Sequence, residues 1–178
     1  MRRLPAGRIT IVTNSAEETH RLGIRIGKSL NIPGVVLLRG PLGVGKTTLA
    51  RGIAEGLGLE DPSRVSSPSF ALVNNYRARC LIYHVDLYRL EGARDLYTIG
   101  IEEFLGRDGV TIVEWSERLT FPVESAVAVD IADAGDDSRI FNIVGFGSTH
   151  QKPRSLLKGS GPARTHPAGR RPGLRRAK

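Results

Sequence analysis

The stretch Gly40-Pro41-Leu42-Gly43-Val44-Gly45-Lys46-Thr47-Thr48 decides how this chain is read. A glycine, four residues and then Gly-Lys-Thr is the spacing of a loop that cradles phosphates. Its glycines let successive backbone N–H groups turn inward toward anionic oxygens. A helix opening at Lys46 adds the favourable field of its N-terminus. Lys46 puts a positive charge on the outer phosphates, and Thr47 offers a hydroxyl to the metal ion that bridges them. Gly43, Val44, Gly45, Lys46, Thr47 and Thr48 are therefore the expected nucleotide-binding positions. The ligands implied are ATP and Mg2+, a cation suited to phosphate and carboxylate oxygens.

The flanks support this reading. Residues 35–39 form a short apolar run bounded by turn residues, the pattern of a buried strand. Downstream, Leu49, Ile53 and Leu57 lie on one face of a helix predicted over 46–57, with Gly58 as its C-terminal cap. Upstream, a strand over 8–13 leads to Ser15-Ala16-Glu17-Glu18, a capping box, and to a helix over 16–30 carrying Thr19, Leu22, Ile26 and Leu30. Beyond the loop, 70–76 and 80–86 read as an antiparallel hairpin around the basic turn 77–79. A helix interrupted near Gly100 is predicted over 94–105, and a buried strand over 110–113. Two further strands, 123–131 and 140–146, flank an acidic turn at 133–137.

A phosphate loop needs carboxylates at the C-terminal ends of neighbouring strands. Asp86 closes Leu81-Ile82-Tyr83-His84-Val85, and Glu114 closes Val110-Thr111-Ile112-Val113. Either supplies an acid for the metal. His20, His84, His150 and His166 show no metal-ligand spacing. His84 is expected to pack or hydrogen-bond at the edge of the site.

Composition sets outer bounds. The chain has 178 residues and a net charge of +8, but nine Lys or Arg and no acid fall within 148–178. The other 147 residues carry 17 basic and 18 acidic groups, so the basic character belongs to the tail and not to the domain. Four of the ten prolines and no aromatic residue lie in that tail, which is expected to be disordered. The organisation expected is a domain over 1–147 and a basic tail over 148–178. Cys80 is alone, which rules out an intramolecular disulfide. No signal peptide is visible, and no apolar run is long enough to span a bilayer, so a cytoplasmic protein without membrane contact is expected.

Four motifs occur in order: Gly-Val-Gly-Lys-Thr-Thr at 43–48, Val-Ser-Ser-Pro-Ser-Phe at 65–70, His-Val-Asp-Leu-Tyr-Arg at 84–89 and Val-Glu-Trp-Ser-Glu-Arg at 113–118. Together they resemble the bacterial TsaE family, also called YjeE, over residues 8–147. The resemblance implies an α/β fold, a three-layer sandwich of the P-loop NTPase kind with a mixed central sheet. It implies a weak MgATP hydrolase needed for threonylcarbamoyladenosine in tRNA, working with TsaB and TsaD. TsaD would transfer the threonylcarbamoyl group, and the ATPase would reset the partner complex between turnovers. Carried over by motif, Lys46 neutralises phosphates and is catalytic with Asp86. Thr47 and Glu114 hold Mg2+, and Asp86 positions water or the metal's shell. The resemblance also puts Trp115 beside the nucleotide, although a partly buried core aromatic explains that residue as well. Residues 65–70 become a loop over the γ-phosphate. The family usually has Thr after the proline; Ser69 here loses the methyl but keeps the hydroxyl, so a phosphate or metal contact from Ser69 is implied. An adenine contact is implied around Thr13 to Ser15.

The tail is not part of the common family pattern. A solvated extension explains it, and a loose electrostatic contact with tRNA is the sharper alternative. Two other functions remain open on the residues themselves. One is a small-molecule kinase using the same loop, although Arg77, Arg79, Arg89 and Arg94 form no recognisable lid. The other is a nucleotide-dependent binding module in which hydrolysis is incidental. A GTPase is disfavoured, since neither Asn-Lys-x-Asp nor Asp-x-x-Gly occurs.

Overall fold

The computed structural model describes residues 8–90 and 100–147. Seven strands form one mixed sheet: β1 (Arg8–Thr13), β2 (Gly34–Arg39), β3 (Val73–Arg77), β4 (Leu81–Asp86), β5 (Gly109–Glu114), β6 (Ala126–Asp133) and β7 (Arg139–Phe146). Their order across the sheet is β1-β7-β6-β2-β5-β4-β3. The four central strands, β6, β2, β5 and β4, are parallel. Antiparallel pairs finish both sides, β7 and β1 on one and β3 on the other. Burial follows position. β5 is buried at all six residues, whereas the edge strand β1 alternates exposed and buried. A strand covered on both faces must be apolar throughout, and an edge strand need only be so on one.

Helices α1 (Ala16–Ser29) and α2 (Lys46–Gly56) cover one face. Their Leu22, Ile26, Leu49 and Ile53 pack with Val36, Leu38, Ile82, Ile112, Val129 and Phe141 of the sheet. On the opposite face Val35, Leu37, Val85 and Val113 meet Leu87, Leu90 and Ile101, with Trp115, Leu119 and Phe121 beside them. Among the described residues that layer is built from loops and short 3-10 turns. The result is the mixed α/β sandwich expected from the sequence.

The helix pair shows a feature that the apolar spacing alone does not predict. Gly23 and Gly27 of α1 lie against Gly52 and Gly56 of α2. A methyl group on Gly23 would stand 2.4 Å from the Leu49 carbonyl oxygen, and one on Gly52 would stand 2.1 Å from that of His20. The same holds for Gly27 against Ile53 O (2.2 Å) and Gly56 against Ile24 O (2.3 Å). The two helices therefore touch backbone to backbone, and α1 fixes where α2 and the loop before it sit.

The start of α1 is capped as expected, with the Ser15 hydroxyl accepting from Glu18 N at 3.1 Å. The return bond differs from the usual box: the Glu18 carboxylate accepts from Asn14 N at 2.7 Å. Some boundaries also differ; the strand expected over 123–131, for one, is Ala126–Asp133. The hairpin begins at Val73 and not at residue 70, because Leu72 N donates back to Pro68 O (2.6 Å) with Leu72 at φ 65, a turn that no strand can contain. The described part of the helix expected over 94–105 is a 3-10 turn at Ile101–Glu103, entered through Gly100 at φ 62. Its bonds run from Glu103 N to Gly100 O and from Phe104 N to Ile101 O, too tight for an α-helix. Residues 94–99 and the tail over 148–178 lie outside the described residues. Among the described residues no helix is long and apolar enough to cross a membrane.

Candidate functional site

The loop between β2 and α2 is set by the need to leave a buried strand and enter a helix within six residues. Gly40 makes the exit at φ 140, where a methyl group would strike the Ile131 carbonyl oxygen at 2.4 Å. Gly45 stands at the helix entrance at φ 106 and gives α2 no side-chain cap. The amides of that first turn have no partner within the helix and face outward, as an anion site requires.

Strand alternation then aims the acids. Ile82, His84 and Asp86 share one face of β4, and Val110, Ile112 and Glu114 share one face of β5. The Ile residues of both sets pack in the cluster under α2, so both acids end on the side of the phosphate loop. The register pairs Asp86 directly with Glu114, and Glu114 with Leu38 at the end of β2.

Both acids are 2% exposed, yet they are held differently. Glu114 Oε2 accepts from the Thr47 hydroxyl at 3.0 Å, and Oε1 accepts from His84 Nε2 at 2.8 Å. Asp86 Oδ1 accepts from the Tyr88 amide at 2.8 Å, and Oδ2 accepts from the Ser67 hydroxyl. Ser67 belongs to the loop over 65–72. Arg51 of α2 grips the start of that loop, donating from Nε and Nη2 to Val65 O at 3.2 and 3.0 Å. Near its other end Phe70, 82% exposed, stacks under the Arg89 guanidinium at 3.8 Å.

Lys46 is buried. Its ammonium donates to Gly40 O and Pro41 O, each at 2.8 Å, and lies 3.8 Å from the centre of the Trp115 ring. Burial pulls its pKa below the usual 10.5, while Glu114, Glu117 and Asp86 pull it back up. Trp115 itself sits at φ 58 with its ring against Tyr88, the centroids 5.0 Å apart.

Two cavities meet at the loop. The larger, about 320 Å³, is lined by Lys46, Thr47, Ser67, Ser69, Asp86, Glu114 and Trp115 among others. The smaller, about 120 Å³, lies on the α1 side between Ala16, Thr19, Val44, Asp137 and Arg139. Gly43, Gly45 and Thr48 border both. The expected positions are thus brought together, apart from Thr13. That side chain is buried behind the smaller cavity, with its hydroxyl 2.8 Å from that of Thr19. Thr19, Asp137, Arg139, Ser67 and His84 were not singled out as binding or catalytic positions in the sequence. For Ser67 the signal was present in the hydroxyl-rich Val-Ser-Ser-Pro-Ser run; for Asp137 and Arg139 nothing local marks them.

Comparison with known proteins gives the family and the fold. The family model described as threonylcarbamoyl adenosine biosynthesis protein TsaE matches residues 13–141. The tRNA threonylcarbamoyladenosine biosynthesis protein TsaE of Treponema pallidum is 36% identical over 129 residues, covering 72% of this chain and 94% of the relative. The protein of the same name from Nostoc sp. is 38% identical over 140 residues, covering 75% and 83%. The crystal structure of YdiB from Bacillus subtilis superposes with a TM-score of 0.69 at 26% identity, over 88% of this chain and 98% of that one.

Proposed function

Because the chain belongs to the TsaE family, we propose that it binds MgATP at the 40–47 loop and hydrolyses it to support threonylcarbamoyladenosine formation in tRNA by TsaB and TsaD. The observation that carries this reading is the bond from Thr47 to Glu114 at the mouth of an uncapped helix. A hydroxyl and a carboxylate with nothing but hard oxygen donors suit Mg2+. Among the described residues no cluster of three or more His, Cys, Asp or Glu could hold a metal ion. A cation here would complete its shell from phosphate oxygens and water.

Bound Mg2+ would neutralise charge on the outer phosphates. The chain's own residues do the rest. The first-turn amides of α2 and the Lys46 ammonium bind and orient the phosphates. Thr47 donates its proton to Glu114 and so keeps its oxygen lone pairs for a cation. Asp86, one strand further out, orients the attacking water and accepts its proton. Its tie to Ser67 links that proton acceptor to the loop beside the phosphate cavity. The smaller cavity, walled by Thr19, Val44 and Arg139, receives the base side of the nucleotide.

Product analysis tests the proposal. Incubated with MgATP, TsaB and TsaD, the chain should release inorganic phosphate faster than it does alone, and Lys46→Ala should release none. Phosphate appearing on a metabolite would instead identify a kinase. Absence of both stimulation and association with TsaB and TsaD would overturn the coupling.

A further inference from the structure

We propose that His84 is a positioning residue for the metal-holding carboxylate, clamping one oxygen of Glu114 so that the other stays on Thr47. The inference rests on the MgATP reading of the site. His84 is fully buried in β4, and its Nε2 lies 2.8 Å from Glu114 Oε1. Its other ring nitrogen, Nδ1, has no hydrogen-bond partner among the described residues. An imidazole buried with half of its polar atoms unpartnered is a poor choice for packing, since an aliphatic side chain would fill the same space without desolvating a polar atom. What the imidazole offers in exchange is a single directed N–H.

The geometry also assigns the tautomer. A carboxylate oxygen only accepts, so Nε2 carries a proton. The opposite tautomer would set two lone pairs against each other at 2.8 Å and bury an unpaired N–H. Glu114 reaches its position on a flexible side chain, and two donors from two rigid elements fix both of its oxygens: His84 from β4 and Thr47 from α2. Remove the first, and the carboxylate can rotate about the second. Partners that orient a metal-holding group in this way commonly carry about ten- to a hundredfold in metal affinity.

The test uses the full chain with His84→Met and His84→Gln, side chains of similar volume of which only the second carries an N–H donor. ATP binding is measured by calorimetry in EDTA and in Mg2+. The expected result is equal affinity for all three proteins in EDTA. The Mg2+-linked gain should persist in His84→Gln and fall about tenfold in His84→Met. A gain kept by His84→Met, or lost equally by both variants, overturns the inference, as does a loss in His84→Met that is just as large in EDTA. If the unsubstituted chain shows no Mg2+-linked gain, the metal reading falls and this inference falls with it. Histidine 15N spectra of the unsubstituted chain give a check independent of any variant: His84 should carry a proton on Nε2, and a ring with its only proton on Nδ1 would overturn the assignment.

Discussion

Asp86 and Glu114 end adjacent strands in direct register, equally buried, and yet they belong to different mechanical systems. Glu114 is gripped by a strand and a helix, through His84 and Thr47. Asp86 is gripped by a loop, through Ser67, and by the amide of Tyr88. Groups on packed elements hold a geometry, and groups on loops can respond to what is bound. Under the proposed function the pair would divide the work: one acid would keep a metal in place, and the other would couple the chemistry to the 65–72 segment.

The largest effect that would break this division comes from Asp86→Asn. Phosphate release should fall on the order of a hundred- to ten-thousandfold, as for loss of a proton acceptor, while MgATP affinity stays close to that of the unsubstituted chain. A parallel loss of affinity in calorimetry would show that Asp86 holds the metal instead. Glu114→Gln should do the reverse, lowering Mg2+-dependent affinity by at least about tenfold and leaving binding in EDTA unchanged. Gly52→Ala probes the scaffold common to both acids. Overpacking the helix seam should cost about 1–3 kcal/mol in denaturant unfolding, and an unchanged midpoint would contradict the backbone contact. Ser67→Ala should sharpen the comparison by slowing turnover about tenfold, the scale of one hydrogen bond to a charged group, without changing Mg2+-linked affinity.

The smallest effect is with pH. Burial holds Lys46 below 10.5 in the free protein, and bound phosphate favours its charged form. Affinity should therefore fall as pH rises through that lowered value. A dissociation constant that stays flat until pH passes 10.5 would contradict the burial of the ammonium.

The phosphate loop was legible because its chemistry is contiguous: one run of nine residues contains the turn, the charge and the hydroxyl. The acids were legible because strand ends are, and because alternation sends every second residue to one face. For Ser67 and His84 the sequence offers a hydroxyl-rich run and a place at the edge of the site, but not their partners, Asp86 and Glu114, which lie 19 and 30 residues away. The glycine seam was half visible. Gly23 with Gly27, and Gly52 with Gly56, repeat at one helical turn, but nothing in either helix says which partner the bare face meets. Thr13 lies buried behind Thr19, whose side chain reaches the wall of the smaller cavity; which of the two stands in front depends on how β1 and α1 pack, and neither segment's sequence states that.

Titration calorimetry of MgATP into the unsubstituted chain and into Lys46→Ala tests the central claim most directly. Saturable heat at one nucleotide per chain, absent from Lys46→Ala, is the expected result. No heat in the unsubstituted chain, or the same heat in both proteins, would contradict the assignment of the 40–47 loop as the nucleotide site.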